Sequence, residues 1–246
     1  MTLLGIFSLS SNLQSPTAKT PMYFFLGTLA CLDMSYSSVT TPRMLYDLPK
    51  QVRIISLQDC LTQIYFFFGF GSSEVILLAV MSYDRYIAVC KPLHYKLIMP
   101  HKTCVLMISG VICGGLMNSL LHTLFLLKLT FCVSKPLQSF FCDSPQLLLV
   151  SCSDTFINVL LILFSGIFFG GVFFALTFSP YIIILNTIMK MSKAMRSKAF
   201  STCSSHLTVV FIFYGSIYFN YFRPNFDYHF GENRVGSVFY AVINPC

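Results

Sequence analysis

The sequence has no tryptophan and very little charge. Only 10% of its 246 residues are charged, although 26 are phenylalanine, 55% are hydrophobic and the mean hydropathy is +0.72. Soluble domains carry about 25% charged residues. This shortage of charge argues against a soluble domain and indicates a membrane protein in contact with a lipid bilayer.

Several chemical signatures are also missing from the sequence. It contains no Cys-x-x-Cys pair, no glycine-rich phosphate loop, and no Ser/His/Asp or Cys/His set at a shared depth. We therefore expect neither an enzyme nor a metal centre. The net charge of +7 comes from cations spread thinly between apolar runs. That pattern favours a membrane bias over nucleic-acid binding.

Apolar runs divide the chain into membrane spans. A helix needs about 20 residues to cross the roughly 30 Å hydrocarbon layer. We predict one all-α transmembrane domain over residues 1–246. Full spans are expected at about 22–40, 61–88, 104–127, 156–189 and 206–222, and partial spans at about 3–9 and 235–246.

The loops between these spans predict their direction. Alternate connections beginning with the first hold nine cations and one acid, against seven cations and six acids in the others. Cations concentrate on the cytoplasmic side of membrane proteins. The first set is therefore predicted to be cytoplasmic.

Four cysteines fall on the opposite, oxidising side. They indicate two disulfides, and their spacing leaves three pairings open. These cysteines are Cys60, Cys132, Cys142 and Cys152.

The stretch "LLAVMSYDRYIAVCKPLHY", residues 77–95, places an acid beside an arginine at the end of an apolar run. The neighbouring carboxylate of Asp84 lowers the free-energy cost of placing the Arg85 cation near the membrane edge. The triplet fits either a latch that a cytoplasmic partner could open or an ordinary snorkelling arginine.

Five stretches in order resemble the olfactory receptors, a branch of the rhodopsin-like G-protein-coupled receptors. They are "PMYFFLGTLACLD" (21–33), "MSYDRYIAVCKPLHY" (81–95), "FFCD" (140–143), "KAFSTCSSHL" (198–207) and "FYGS" (213–216). The resemblance implies a seven-helix bundle in which the full spans are the second to sixth helices. By comparison with the family we expect the first and seventh helices to be incomplete, as in a partial receptor or an incomplete gene model.

Two further departures from the family pattern lie inside the spans. Gly110 stands where the family carries a tryptophan, and Pro180 where it usually has serine. A proline removes a backbone donor and bends a helix.

The resemblance also implies a switch and a signalling partner. Arg85 would rest against its acid and turn toward a fifth-helix tyrosine on activation, and a stimulatory olfactory G protein would then bind and raise cyclic AMP. The implied switch residues are Asp84, Arg85, Tyr86, Tyr181 and Lys198.

Carboxylates within the spans form a second implied site. Asp33 and Glu74 would face the bundle axis with Asn244 and hold a sodium ion or a water cluster. The alternative is two neutral acids that hydrogen-bond to Ser72, Ser73 or Asn244. The family pattern further implies the disulfides Cys60–Cys142 and Cys132–Cys152.

The ligand pocket is expected in the outer half of the third, fifth and sixth helices, for a small, volatile, weakly polar odorant. Each candidate could equally serve helix packing, and His122 could add one hydrogen bond or be structural. The candidates are Phe67, Phe68, Gly71, Ser72, Ser165, Phe169, Tyr214, Ile217, Tyr218 and Tyr221.

The sequence therefore predicts an odorant receptor in the plasma membrane. Two alternatives remain at this point: a non-signalling receptor retained in the endoplasmic reticulum, and a small-molecule or ion transporter that uses Asp33 and Glu74. The odorant itself is not specified by the sequence.

Overall fold

A computed structural model describes residues 21–47, 55–131, 142, 144–190 and 192–221. These residues are almost entirely helical and contain no strand apart from an isolated bridge between Phe131 and Ser151. The predicted all-α class is confirmed. In chain order the helices are α1 (Pro21–Asp47), α2 (Leu57–Cys90), α3 (Tyr95–Ile98), α4 (His101–Leu127), α5 (Ser144–Val150), α6 (Phe156–Ser165), α7 (Phe173–Met189) and α8 (Lys193–Tyr221).

The predicted spans 22–40, 61–88 and 104–127 lie within α1, α2 and α4, while 156–189 runs from α6 through a π-helical segment to the end of α7. The described part of 206–222 lies within α8. Within the described residues, three helical stretches are long and apolar enough to cross a membrane. They are α2, α4 and the continuous stretch Phe156–Met189. Helix α8 begins at Lys193, well before its apolar part at His206–Ser216, because the polar stretch ahead of it is also helical.

The long helix α2 forms the centre of the bundle. In its most apolar window 56% of residues are buried, against 22% in α4 and none in Phe156–Met189. It packs against α1, α4 and α7. Groups on α2 are therefore placed to respond to several neighbours at once.

Local sequence signals set the ends of α2. The Ser56 side chain caps the helix by accepting a hydrogen bond from the Asp59 backbone N–H at 3.1 Å. Asp59 also complements the positive end of the helix dipole. At the other end Lys91 closes the last turn on Ile87 at 3.0 Å, and Pro92 follows. Proline stops the helix because it has no N–H to donate.

Hydroxyl groups in α1 are satisfied by the helix itself. Thr28, Ser35, Ser37 and Ser38 each donate to the backbone carbonyl four residues earlier, at 2.7–3.0 Å. Since lipid offers no hydrogen-bond partners, this pattern lets a hydroxyl-rich helix lie in the membrane.

The stretch between α6 and α7 departs from regular α-helix. Residues Gly166–Val172 form a π-helical segment with the sequence GIFFGGV. Added Cβ atoms at Gly166, Gly170 or Gly171 would meet nothing within 4 Å. These glycines are therefore not required by close packing. Pro180 lies inside α7, which continues on both sides of it.

Candidate functional site

The predicted switch begins with an ion pair at the end of α2. Arg85 donates from Nη2 and Nε to the same carboxylate oxygen, Oδ2 of Asp84, at 2.5 and 3.1 Å. Asp84 is 1% exposed and Arg85 9% exposed. A buried pair of this kind is strongly destabilised when one partner is lost, because the other charge is left uncompensated.

The second oxygen of Asp84 has a donor of its own. The hydroxyl of Tyr95, in the short helix α3, donates to Asp84 Oδ1 at 2.8 Å. Burial and the adjacent carboxylate raise the pKa of Tyr95, so its hydroxyl keeps the proton that it donates. Tyr95 ends the stretch 77–95, and no sequence signal marks it as a partner of Asp84.

In α7, Tyr181 is buried and hydrogen-bonded to His206 Nδ1 of α8. The centroids of the two rings are 5.9 Å apart. Tyr181 belongs to a core cluster with Ile184, Ile188 and Cys203. Tyr86 packs against this cluster. The structure thus brings Tyr86 and Tyr181 together, and it pairs Tyr181 with His206, a residue of the stretch 198–207 for which the sequence predicted no role.

The remaining switch candidate, Lys198, lies in the first part of α8, and its side chain is outside the described residues. Around the described switch, Arg85 is held by Asp84 while Tyr181 is held by His206. His206 Nε2 is buried with no hydrogen-bond partner within the described part of the chain. The arrangement therefore consists of two polar pairs that could exchange partners.

The candidate pocket residues on α2 point in two directions. Phe67 is buried against the ring of Tyr36 of α1, with centroids 4.9 Å apart. A Cβ on Gly71 would lie 4.0 Å from the same ring. Phe67 and Gly71 therefore contribute to the contact between α1 and α2.

Phe68 and Ser72 face the other way, toward a polar network. Asn118 of α4 donates from Nδ2 to Ser72 Oγ at 2.9 Å and accepts from Ser165 Oγ at 3.5 Å. His122 Nε2 lies 2.6 Å from Ser165 Oγ, and its ring stacks on Phe68 at 5.4 Å. Three predicted pocket residues thus meet His122, which the sequence offered as one additional hydrogen bond, and Asn118, which no sequence signal singled out.

Helices α7 and α8 meet through aromatic rings. Tyr214 is buried, its hydroxyl lies 3.3 Å from Thr177 Oγ1, and its ring contacts Phe174 edge-on at 5.3 Å. Phe169 stacks on Phe173 at 5.4 Å and packs against the cluster that contains Tyr214. The side chains of Ile217, Tyr218 and Tyr221 lie outside the described residues.

An open groove of about 520 Å³ lies elsewhere, between the early part of α2 and the later part of α4. None of the predicted pocket residues lines it. Its lining residues are Leu57, Gln58, Leu61, Thr62, Tyr65, Thr123 and Leu127.

Glu74 is 2% exposed, and its Oε1 has no hydrogen-bond partner among the described residues. It interacts electrostatically with the half-buried Asp33. The two serines predicted as partners in the alternative have other hydrogen bonds: Ser73 donates to the Gly69 carbonyl at 2.8 Å and Ser72 accepts from Asn118. Asn244 lies outside the described residues.

The disulfide Cys60–Cys142 is confirmed, with a Cα–Cα distance of 5.4 Å. It joins the first turn of α2 to the connection between α4 and α5, inside a core cluster with Leu126 and Leu147. Cys152 is also disulfide-bonded, while Cys132, its predicted partner, lies outside the described residues. Among the described residues, no cluster of three or more His, Cys, Asp or Glu could hold a metal ion.

Comparison with known proteins decides the family. A family model described as "Olfactory receptor" matches residues 6–235. The chain belongs to the olfactory receptor family. It is 41% identical to the human "Olfactory receptor 4B1" over 94% of this chain and 74% of that protein. It is 42% identical to the mouse "Olfactory receptor 5AP2" over 100% of this chain and 78% of that protein. Family membership and the apolar helices together identify a helical membrane protein of the G-protein-coupled receptor type.

Proposed function

We propose that this olfactory receptor binds an odorant in the plasma membrane, activates a stimulatory olfactory G protein and thereby raises cyclic AMP. The observation that carries the proposal is the buried Asp84–Arg85 pair next to the Tyr181–His206 pair on the predicted cytoplasmic side. Both pairs join groups that are costly to bury without a partner. Such groups can change partners between two states of the bundle.

In the proposed resting state, Arg85 is neutralised by Asp84 and is unavailable to other groups. Activation separates the pair, and Arg85 turns toward Tyr181, whose hydroxyl oxygen can accept a hydrogen bond from the guanidinium. Tyr86 packs against the Tyr181 cluster, so a shift of α7 or α8 would also reach α2. Lys198, in the first part of α8, would meet the G protein once that helix moves.

The proposed odorant site lies beside the polar network that joins α2, α4 and α6, and it extends toward the aromatic contact between α7 and α8. Of the candidates on α2, Phe68 and Ser72 face this network, whereas Phe67 and Gly71 pack toward α1. Phe68 and Phe169 provide aromatic surface, and Ser72 and Ser165 provide hydroxyls. Ser72 and Ser165 already hydrogen-bond to Asn118 and His122. An odorant would therefore gain most of its affinity from burial and shape, since each polar contact must replace an existing one. Tyr214, Ile217, Tyr218 and Tyr221 complete the proposed set.

We further propose that Asp33 and Glu74 serve as an intramembrane polar site able to hold a sodium ion, with Asn244 as a third ligand. The proposal is supported by Oε1 of buried Glu74, which has no hydrogen-bond partner among the described residues. Carboxylate oxygens suit a hard cation. The test is the sodium dependence of odorant potency, which should disappear in Glu74→Gln and persist in the Ser109→Ala control, whose hydroxyl bonds only its own helix in the described structure.

The switch is tested with Arg85→Gln, which removes the cation but keeps hydrogen-bonding capacity. Cells that express the tagged receptor are exposed to an odorant panel, and cyclic AMP is measured per receptor at the surface. We expect Arg85→Gln to abolish the odorant response. Lys102→Gln removes an exposed cation on the same predicted side and should respond like the unmodified chain. An equal response from both variants would refute the proposed switch.

A further inference from the structure

The open groove between α2 and α4 lies on the predicted outer side and is lined by none of the odorant candidates. Its volume of about 520 Å³ is within the range of small-molecule sites. On α2 it extends from Leu57 to Tyr65, which at a rise of 1.5 Å per residue is about 12 Å. On α4 it is lined by Thr123 and Leu127. The groove therefore suits an elongated ligand that reaches about half-way across the hydrocarbon layer.

The walls of the groove are apolar even where they carry hydroxyl groups. Thr62 and Thr123 each donate to the backbone carbonyl four residues earlier, at 2.8 and 2.9 Å. Both hydroxyls are thus engaged by their own helix. Leu61 is buried beneath the groove, whereas Leu127 is 59% exposed at its rim. Such a surface favours a ligand with an apolar body.

The two ends of the groove differ in polarity. At the inner end the two helices meet, because the Ser119 hydroxyl of α4 donates to the Tyr65 carbonyl of α2. At the outer end the groove is lined by the exposed residue Gln58. The charged residues Asp59 and Lys128 follow the lining directly on each helix and place this end at the membrane–water interface. The groove therefore leads from the interface into the hydrocarbon.

We propose that this groove binds a membrane sterol of the outer leaflet. The rigid ring system lies between Leu61 of α2 and Leu127 of α4. The single sterol hydroxyl meets the side-chain amide of Gln58, which can both donate and accept a hydrogen bond. This site is separate from the odorant site, and it does not depend on the proposed signalling.

Charge selects a sterol over a phospholipid. No charged side chain is among the described residues that line the groove. The carboxylate of Asp59, next to Gln58, would repel a phosphate group. The ammonium of Lys128 lies 5.0 Å from the ring centroid of Phe125, which is not a lining residue. A neutral hydroxyl therefore suits this end of the groove. A rigid body also loses less conformational freedom on binding than a flexible acyl chain.

The experiment uses the full chain in phosphatidylcholine nanodiscs and a photoreactive cholesterol, with the labelled residues mapped by mass spectrometry. We expect labelling around the groove on α2 and α4 that unlabelled cholesterol competes away. Thr123→Phe fills the groove and should lower this labelling at least about fivefold. The matched control Thr208→Phe makes the same change at an exposed threonine of α8, whose hydroxyl also bonds its own helix, and should leave the labelling unchanged.

A second comparison tests the contact with the sterol hydroxyl. Gln58→Leu keeps a side chain of similar size and removes the amide. Competition by cholesterol should weaken about fivefold in this variant, because one hydrogen bond is lost. Competition by the analogue that lacks the hydroxyl should stay the same. A Gln58→Leu variant that still prefers cholesterol to this analogue would contradict the proposed orientation of the sterol.

Other occupants of the groove give different results. Equal labelling of Thr123→Phe and Thr208→Phe would overturn the inference. Preferential labelling of the groove by a photoreactive phosphatidylcholine would assign it to an acyl chain. A loss of dimers in Thr123→Phe, with sterol labelling unchanged, would assign it to a second copy of the chain.

A variant at the exposed rim covers the case in which Thr123→Phe does not fold, as judged from its Tm. Leu127→Trp fills the groove from outside and should give the same loss of labelling. Labelling that persists in a folded Leu127→Trp variant would overturn the inference. All of these measurements report binding, so a receptor that is silent to odorants refutes the proposed function without affecting this test.

Discussion

At the scale of single residues, several buried polar groups find partners on other helices or loops. Tyr95 donates to Asp84, and Asn118 bridges Ser72 and Ser165. Where helices cross, a glycine allows the two backbones to approach closely. At Gly115, an added Cβ would lie 2.0 Å from Ser73 Oγ and 2.6 Å from the Gly69 carbonyl oxygen.

The crossing of α2 and α4 should not tolerate even one methyl group at Gly115. Gly115→Ala forces the two backbones apart, because the Gly69 oxygen belongs to the main chain and cannot rotate away. Overpacking of this kind costs about 1–3 kcal/mol. We expect a lower Tm in detergent and less receptor at the cell surface. Gly110→Ala is the matched control, since its Cβ would meet nothing within 4 Å, and equal losses in the two variants would contradict this reading of the crossing.

The residue-level partners were the least predictable part of the site. Asp84 and Arg85 are adjacent, so their pairing could be read from the sequence. Tyr95 reaches Asp84 only because Pro92 ends α2 and the next turns fold back beneath it. His206 meets Tyr181 through the packing of two separate helices. Neither contact leaves a local pattern in the sequence.

At the scale of helices, the disulfide Cys60–Cys142 joins the outer end of α2 to the connection between α4 and α5. Apolar side chains surround this disulfide. The backbone N–H of Cys142 also donates to Gln63 Oε1 at 3.4 Å. Covalent, polar and apolar contacts therefore act together at this end of the bundle.

Loss of the disulfide should destabilise the receptor to the same extent whichever of its two cysteines is replaced. We expect Cys60→Ser, Cys142→Ser and the double variant to lower the free energy of unfolding similarly, by about 2–5 kcal/mol. Thermal unfolding in detergent measures the effect. Cys113→Ser changes an exposed free cysteine and should be neutral. Additive losses in the double variant would show that the two cysteines act independently.

The bridge at Asn118 should hold α6 against α2 and α4. Asn118→Leu keeps a similar volume but removes both hydrogen bonds. Interhelical hydrogen bonds in membranes average about 0.6 kcal/mol and reach about 1.7 kcal/mol. We expect a Tm decrease that is mostly lost when Ser72 and Ser165 are already alanine. An undiminished decrease in that background would mean that Asn118 acts through packing instead.

Helix positions could be predicted from the sequence because apolar runs of sufficient length leave few alternatives in a membrane. The π-helical segment Gly166–Val172 could not, since a change in hydrogen-bond register leaves hydropathy unchanged. The early start of α8 at Lys193 was missed for a related reason. Its first turns are polar, so the apolar pattern begins only at His206.

At the scale of the whole molecule, the distribution of charge predicts which side faces the cytoplasm. The sequence contains no Asn-x-Ser/Thr acceptor, so glycosylation can report the orientation without background. The loop between α4 and α6 is predicted to be outside, and the loop between α7 and α8 inside.

Two single substitutions create acceptors on opposite sides. Leu137→Asn completes Asn-Gln-Ser, and Lys190→Asn completes Asn-Met-Ser. We expect Leu137→Asn alone to give a glycosidase-sensitive shift on a gel, because only the outer loop enters the compartment where glycans are added. A gel shift for the Lys190→Asn variant, with none for the Leu137→Asn variant, would contradict the predicted orientation.

The central claim is that an odorant on one side of the membrane engages a stimulatory G protein on the other. Its most direct measurement is odorant-evoked cyclic AMP in cells from which stimulatory α-subunits have been deleted, before and after the olfactory-type subunit is restored. Surface receptor is quantified in both cases. The account predicts no response before restoration and a concentration-dependent response after it, lost again in Arg85→Gln. Surface receptor that stays silent to a broad odorant panel after restoration would contradict the account.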